Sequence, residues 1–503
     1  MPQTRPPLIE ALLDPTRFPE PVPSVELIET HASWVLLAGD FAYKIKKAVT
    51  LPFLDYGTLQ QRKVCCAEEL RLNRRFSPEL YLDVVVITGQ AEHPHFGGNG
   101  TIIEYALKMR RFPQDSRLDH LCAQRQLHWR QISDLAAALA SFHDGAAIAP
   151  AASDFGTPAR IRAQAVENFA ELQTLFNAGE QPRLAWLARW TQHEFERRLP
   201  SFAERKTKGA VRECHGDLHL ANLVLIDGHV RLFDCIEFSD ELRWIDVASE
   251  VAFTYVDLLD HQRPDLAGWL LNEWLLCSGD YEAAAVLRFY AVYRALVRTK
   301  VTAIRARQVG RDDHRKATDT LQLAQQLAEP PPLRLVITHG PAGCGKSRAA
   351  RRLLMADPLA ATLCIRSDIE RKRMYAVAPS ASSQSPLDGG IYTAEAGART
   401  YRRLLELARS LLAAGWSVIV DAAFLERARR DAFRTLAQQS GAAFAIVAPA
   451  ADPAQLVERI HRRLARGGNA SEATLEVLAR QQARIETLGD DEVDALLPVD
   501  PDP

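Results

Sequence analysis

The octapeptide Gly340-Pro341-Ala342-Gly343-Cys344-Gly345-Lys346-Ser347 constrains this chain more than any other stretch. A G-x-x-x-x-G-K-S sequence works as a loop between a buried strand and a helix. Its glycines let the backbone wrap a phosphate, helix N-terminal amides supply donors, the lysine meets the outer phosphates, and the serine hydroxyl reaches a divalent cation. The flanks supply that setting: residues 333–338 read as a strand and the sequence after the loop as a helix. Residues 333–503 are therefore expected to form an α/β P-loop NTPase domain with a mostly parallel sheet. Gly340, Gly343, Cys344, Gly345, Lys346 and Ser347 are its nucleotide-binding loop.

Three further strands are expected in this part, at 362–365, 416–420 and 442–447. The first runs into Arg366-Ser367-Asp368-Ile369-Glu370-Arg371, which sets Asp368 at a strand end with Arg371 three residues on. That pair suits removal of a hydroxyl proton and steadying of a transferring phosphate. Asp421, closing the next strand, is placed to orient magnesium. The helix 453–466 carries Arg459, Arg462, Arg463 and Arg466 ahead of Gly467-Gly468. Arg463 and Arg466 are assigned to the nucleotide, as a lid, against the alternative of a solvated basic face. Residues 384–390 read as a mobile loop beside the acceptor.

With 503 residues the chain exceeds one core, and Glu329-Pro330-Pro331-Pro332 marks a boundary. Upstream, residues 214–238 organise the chain. Two apolar runs, 223–226 and 229–233, flank Asp227-Gly228, a strong hairpin signal. Pairing across that turn brings Asn222 and Asp234 to one open end beside Asp217: one base and two hard oxygen ligands for magnesium. Before this come a proline-rich leader (1–24) with a short helix at 8–13, strands at 25–29, 33–38 and 41–47, a helix over 58–75, and strands at 82–88 and 101–110. Lys44, in Ala42-Tyr43-Lys44, is the lysine expected to grip phosphates, with Lys46 on the same strand face as its rival. Glu69 is its preferred helix partner over Glu68. The turn 30–33 has no glycine. The run 109–119 is the expected hinge between lobes, with adenine bonding the backbone around 108–110, and helices follow at 129–142, 158–178, 183–199 and 266–327. Asp246 reads as a brace for the loop after 214. Arg294 and Arg298 suit an anionic group or a solvated face, and Asp257 and Asp260 a cationic one.

On AYK at 42–44, HGDLHLAN at 215–222 and FD at 233–234, residues 25–320 resemble the aminoglycoside phosphotransferase and choline kinase branch of the protein-kinase-like fold. The resemblance implies an α+β bilobal domain over 25–328, with a small lobe to about 110 and a large lobe from 111. It makes Asp217 the catalytic base, Asn222 and Asp234 the magnesium ligands, and Lys44 with Glu69 the ATP-positioning pair. On GPAGCGKS, SDIERK and VIVDAAF, residues from 333 to about 490 resemble the P-loop small kinases, including gluconate kinase and the polynucleotide 5′-hydroxyl kinases. The whole chain is similar to bacterial proteins described as bifunctional aminoglycoside phosphotransferase/ATP-binding proteins.

Net charge is −2, which gives no global field for nucleic acid or membrane. Eight scattered cysteines without metal-ligand spacing favour reduced thiols in the cytoplasm, and no stretch reads as a signal peptide or membrane span. The expectation is an enzyme that uses ATP and Mg2+ to phosphorylate a small-molecule hydroxyl, with two nucleotide sites. The alternatives are an ATP-binding regulator in which one domain controls the other, and a nucleic-acid 5′-hydroxyl kinase, which the neutral charge disfavours.

Overall fold

The computed structural model describes residues 5–20, 22–51, 54–309, 311–378, 381, 383, 385, 389–466 and 472–498. The chain forms two compact units. One comprises Met1–Leu127, Gly145–Arg160 and Arg205–Thr254; the other comprises His128–Asp144, Ile161–Glu204 and Tyr255–Pro503.

The first unit is built on an antiparallel sheet in the order Val25–Glu29, Ser33–Ala38, Phe41–Lys46, Ile102–Arg110, Tyr81–Gln90, His93–Phe96. The last strand is an addition to the five expected. Alternation drives the packing: Trp34, Leu36, Ala38, Tyr43 and Ile45 face one core with Ile9, Leu12 and Phe18 of the leader. The leader helix is Pro7–Ala11, a little earlier than expected. Leu37, Ala42, Leu107 and Met109 cover the other face with Tyr81 and Val224. Helix Leu59–Asn73 starts at Thr58, whose hydroxyl accepts from the Gln61 amide while the Gln61 side chain accepts from the Thr58 N–H.

The hairpin Leu223–Ile226/His229–Leu232 pairs Ile226 with His229, the expected register. Asp227 and Gly228 both have positive φ, the backbone that a tight two-residue turn needs. Strand Val211–Glu213 pairs with Trp244–Asp246 just outside it. Asp246 is a buried brace: both its oxygens accept from Arg205, at 2.7 and 2.8 Å, and Oδ1 also accepts from the Ala248 N–H.

In the second unit a fully parallel sheet runs Thr362–Arg366, Ser417–Asp421, Arg334–Thr338, Ala443–Val447. Its strands are near-continuous apolar runs because they are buried on both faces. The helices expected over 266–327 are Pro264–Ser278, Ala284–Val309 and Arg311–Ala328, and helix Gln181–Thr207 is longer than expected. These helices pack in the same unit as the sheet. Asn272 accepts from the Cys364 N–H at 2.6 Å and donates to the Thr362 carbonyl at 3.3 Å, which closes the edge of the outermost strand. Arg288 lies over the Trp416 ring and donates to the carbonyls of Leu327 and Gly415. The Trp416 indole N–H donates to the Ala284 carbonyl at 2.9 Å. The chain thus has the expected class, an α+β part on an antiparallel sheet followed by an α/β P-loop part on a parallel sheet. Among the described residues no helix is long and apolar enough to cross a membrane.

Candidate active sites

The first site is assembled from the strand Phe41–Lys46, the helix Leu59–Asn73 and the 214–238 segment. Glu69 is fully buried, and its two oxygens take different lysines: Oε1 accepts from Lys44 at 2.7 Å and Oε2 from Lys46 at 2.6 Å. Lys44 also pairs with Asp234. Its side chain is 14% exposed against 1% for Lys46, so Lys44 is the lysine that a ligand can reach. Glu68 turns instead to Arg71 and Arg243. Burial disfavours charge on Lys44, but Asp234 and Glu69 outweigh it and hold the ammonium well above the usual lysine range. Burial likewise opposes ionisation of Asp234, yet Lys44 keeps that carboxyl below the usual aspartate range.

Asp234 sits in left-handed backbone, φ +64°, a conformation that a non-glycine residue adopts only when its surroundings fix it. The fixing contacts are local. The Asp234 N–H donates to the Tyr81 hydroxyl at 2.8 Å, and the Cys235 N–H to the Asn73 carboxamide at 3.0 Å. Gly216 is obligatory for a different reason: at φ +89° an added Cβ would lie 2.7 Å from the Leu242 carbonyl oxygen. The N–H groups of His215 and Gly216 both donate to Glu250 Oε1, at 2.5 and 2.9 Å. That turn aims Asp217. The Asn222 amide donates to the Asp217 backbone oxygen at 2.9 Å and to Oδ2 at 3.2 Å. Asp217, Asn222 and Asp234 thus stand at the hairpin's open end, with an acceptor-rich, hard-oxygen character that fits a divalent cation.

In the second site the loop glycines Gly340, Gly343 and Gly345 all have positive φ, and a Cβ at Gly343 would meet the Leu456 carbonyl oxygen at 2.9 Å. Lys346 folds back to donate to the Pro341 carbonyl at 2.7 Å, with the Cys344 thiol 3.7 Å away. Ser347 lies in the first turn of helix Lys346–Met355 and is exposed. Asp421 ends its strand next to Arg366, and the two side chains approach to 3.4 Å. Asp368 begins helix Ser367–Met374, 3.9 Å from Arg371, whose guanidinium stacks on Tyr392. The side chains of Arg463 and Arg466, and most of 384–390, lie outside the described residues. Arg459 is described: it donates to the Gly343 carbonyl at 3.4 Å from the helix Pro453–Arg466.

A family model described as an AAA domain matches residues 335–488. Rv2004c of Mycobacterium tuberculosis strain H37Rv, an uncharacterized protein, is 31% identical over 466 residues, spanning 92% of this chain and 90% of the relative. This chain belongs to the same family as Rv2004c. Among solved structures, a choline/ethanolamine kinase family protein from Mesorhizobium loti aligns with 65% of this chain and 96% of its own, at 13% identity and a TM-score of 0.41. The spectinomycin phosphotransferase APH(9)-Ia aligns with 65% of this chain and 98% of its own, at 10% identity and a TM-score of 0.35.

Several further residues at these sites carry no assignment in the sequence motifs. His219 Nδ1 accepts from the Ala221 N–H, so the proton is on Nε2, which lies 3.4 Å from Asp217 Oδ2. Glu250 and Arg366 hold the Asp217 turn and Asp421, and Gln481 accepts from the Ala342 N–H of the loop at 2.6 Å. Position in a motif could have flagged His219 and Arg366. Glu250 and Gln481 lie far from their partners in sequence and carry no local signal.

Proposed function

We propose that this protein is an ATP- and Mg2+-dependent phosphotransferase with two nucleotide sites. At the first, the γ-phosphate passes to a hydroxyl of a small molecule; at the P-loop site, a second hydroxyl is the acceptor. The observation that carries this reading is the convergence of Lys44, Glu69 and Asp234 in one ion-pair chain, with Asp234 at the open end of the hairpin where Asn222 is set against Asp217.

In this reading Lys44 exchanges Asp234 for the nucleotide phosphates. Asp217 accepts the hydroxyl proton as the substrate oxygen bonds to the γ-phosphorus and the bond to ADP breaks. Asn222 and Asp234 would hold magnesium, which offsets phosphate charge when bound. The Nε2–H of His219 faces Asp217 Oδ2 and orients it. At the second site Gly340, Gly343, Cys344, Gly345 and Lys346 cradle the phosphates, Arg463 and Arg466 are assigned to the nucleotide from their sequence positions, Ser347 and Asp421 would hold magnesium, and Asp368 with Arg371 serves the acceptor.

A second reading is favoured by one observation. The P-loop sheet packs in one unit with the helices Pro264–Ser278 and Ala284–Val309, which suits an ATP-driven regulator acting through them. One experiment separates the two. A metabolite extract and a set of 5′-hydroxyl oligonucleotides are incubated with Mg-ATP and wild-type, Asp217→Asn or Lys346→Ala protein, and products are read by mass spectrometry. Phosphorylated products lost separately with each substitution are expected. ATP binding without any product in wild type would replace catalysis with regulation.

A further inference from the structure

Lys46 is not a spare copy of Lys44. It is 2% exposed, and its ammonium has an acceptor for each of its three protons: Glu69 Oε2 at 2.6 Å, the Tyr56 hydroxyl at 3.2 Å, and Glu237. Tyr56 in turn donates to Glu237, and its backbone carbonyl accepts from Arg62 of the helix Leu59–Asn73 at 2.9 Å. A buried ammonium is expensive unless it is fully paired, so an arrangement this complete reflects a demand at that position. Glu237 lies three residues beyond Asp234, and it too is buried, at 8% exposure.

We propose that Lys46, Glu237 and Tyr56 form a positioning set that fixes the Glu69 helix and the Asp234 loop to each other independently of Lys44. The inference rests on the phosphotransferase reading of the first site and deepens it. The two oxygens of Glu69 divide the labour. Oε1 belongs to Lys44, whose other partner, Asp234, is what phosphate and metal compete for. Oε2 belongs to Lys46, whose partners lie out of reach of any ligand. When nucleotide draws Lys44 away, the helix keeps its second tie and the metal loop keeps its anchor through Glu237. The site is therefore assembled before nucleotide arrives. This suits a chain whose turn at 30–33 has no glycine.

The test uses the full chain carrying Lys346→Ala, which silences the second nucleotide site. Two quantities are measured: binding of fluorescent mant-ATP as a function of Mg2+, and amide hydrogen exchange across Leu59–Asn73. Lys44→Met is expected to weaken mant-ATP binding about tenfold or more while exchange in that helix stays at the parent rate. Lys46→Met is expected to speed exchange in the helix about tenfold and to raise the Mg2+ midpoint by a similar factor, with exchange in Arg334–Thr338 unchanged. Lys46→Arg should recover part of both effects, and Tyr56→Phe should produce a weaker version of each. A merely structural lysine would lower stability without moving the Mg2+ midpoint. Parent-like exchange and midpoint in Lys46→Met overturn the proposal; if that variant does not fold, Tyr56→Phe with parent-like values overturns it. A parent that binds no Mg-mant-ATP sinks the reading of the first site itself, and is told apart from the other failures because no variant is needed to see it.

Discussion

Two buried histidines contribute to the acid side of this protein's stability. His215 is buried and its ring is held by the Phe233 carbonyl at 2.8 Å; His339 is buried against the Phe424 carbonyl at 3.0 Å. Burial pushes both below the usual histidine range, against smaller opposing contributions from Glu250 and Phe424 respectively. A group that resists protonation when folded adds nothing above the unfolded pKa of about 6.5, but below it the unfolded chain takes up protons that the folded one refuses. Stability is therefore expected to fall as pH drops below about 6.5. His339→Gln should flatten that slope in denaturant titrations at pH 7 and pH 5. Gly216 permits a sharper prediction. Gly216→Ala forces a Cβ against the Leu242 carbonyl in left-handed backbone, and it should abolish turnover at the first site while leaving the P-loop site active, as measured by separate product assays. Arg430 and Glu492 are both fully buried and paired at 2.6 and 3.0 Å. Arg430→Met leaves a buried carboxylate without its charged partner, keeping only the Gly489 N–H, and should cost about 3–5 kcal/mol, read from the shift in the urea midpoint.

At the scale of elements, legibility followed locality. The 223–232 hairpin, the helix after Thr58 and the P-loop strand and helix are each specified by neighbouring residues, through turn chemistry, capping and apolar period, and they stand where the pattern put them. His93–Phe96 was missed because His-Pro-His-Phe offers neither β-branched residues nor a clear alternation; it exists only because Tyr81–Gln90 offers it an edge. Lys44 and Lys46 could not be told apart in sequence, since a period of two puts both on one face. Only burial separates them, and burial is a property of what lies above the strand. The contact of Lys44 with Glu69 was readable; the second contact, from Lys46, was not. Thr58→Ala removes the cap of the Glu69 helix and should cost about 1 kcal/mol, measured as a shift in melting temperature without a change in nucleotide affinity.

For the molecule as a whole, the proline tract at 329–332 is a punctuation mark in sequence without being a seam in the second unit. Helix Ala284–Val309 supplies the Trp416 acceptor and the Arg288 contact with Gly415, and the turn Tyr281–Ala283 before it supplies the Tyr281 hydroxyl that donates to buried Glu370 at 3.2 Å. A fragment beginning at residue 329 should accordingly be recovered mostly as aggregate in size-exclusion chromatography, while the full chain elutes as a discrete species. Asn272→Ala in the full chain should cost about 1–3 kcal/mol in urea unfolding, because it strips the Cys364 N–H of its partner. That asparagine has a consequence for heredity. A sheet whose border is sealed by Asn272, upstream of the prolines, loses that seal when it is handed on from residue 329 alone. A lineage that divides this gene between two reading frames is expected to cut upstream of Pro264, keeping the helices 264–328 with the sheet they border.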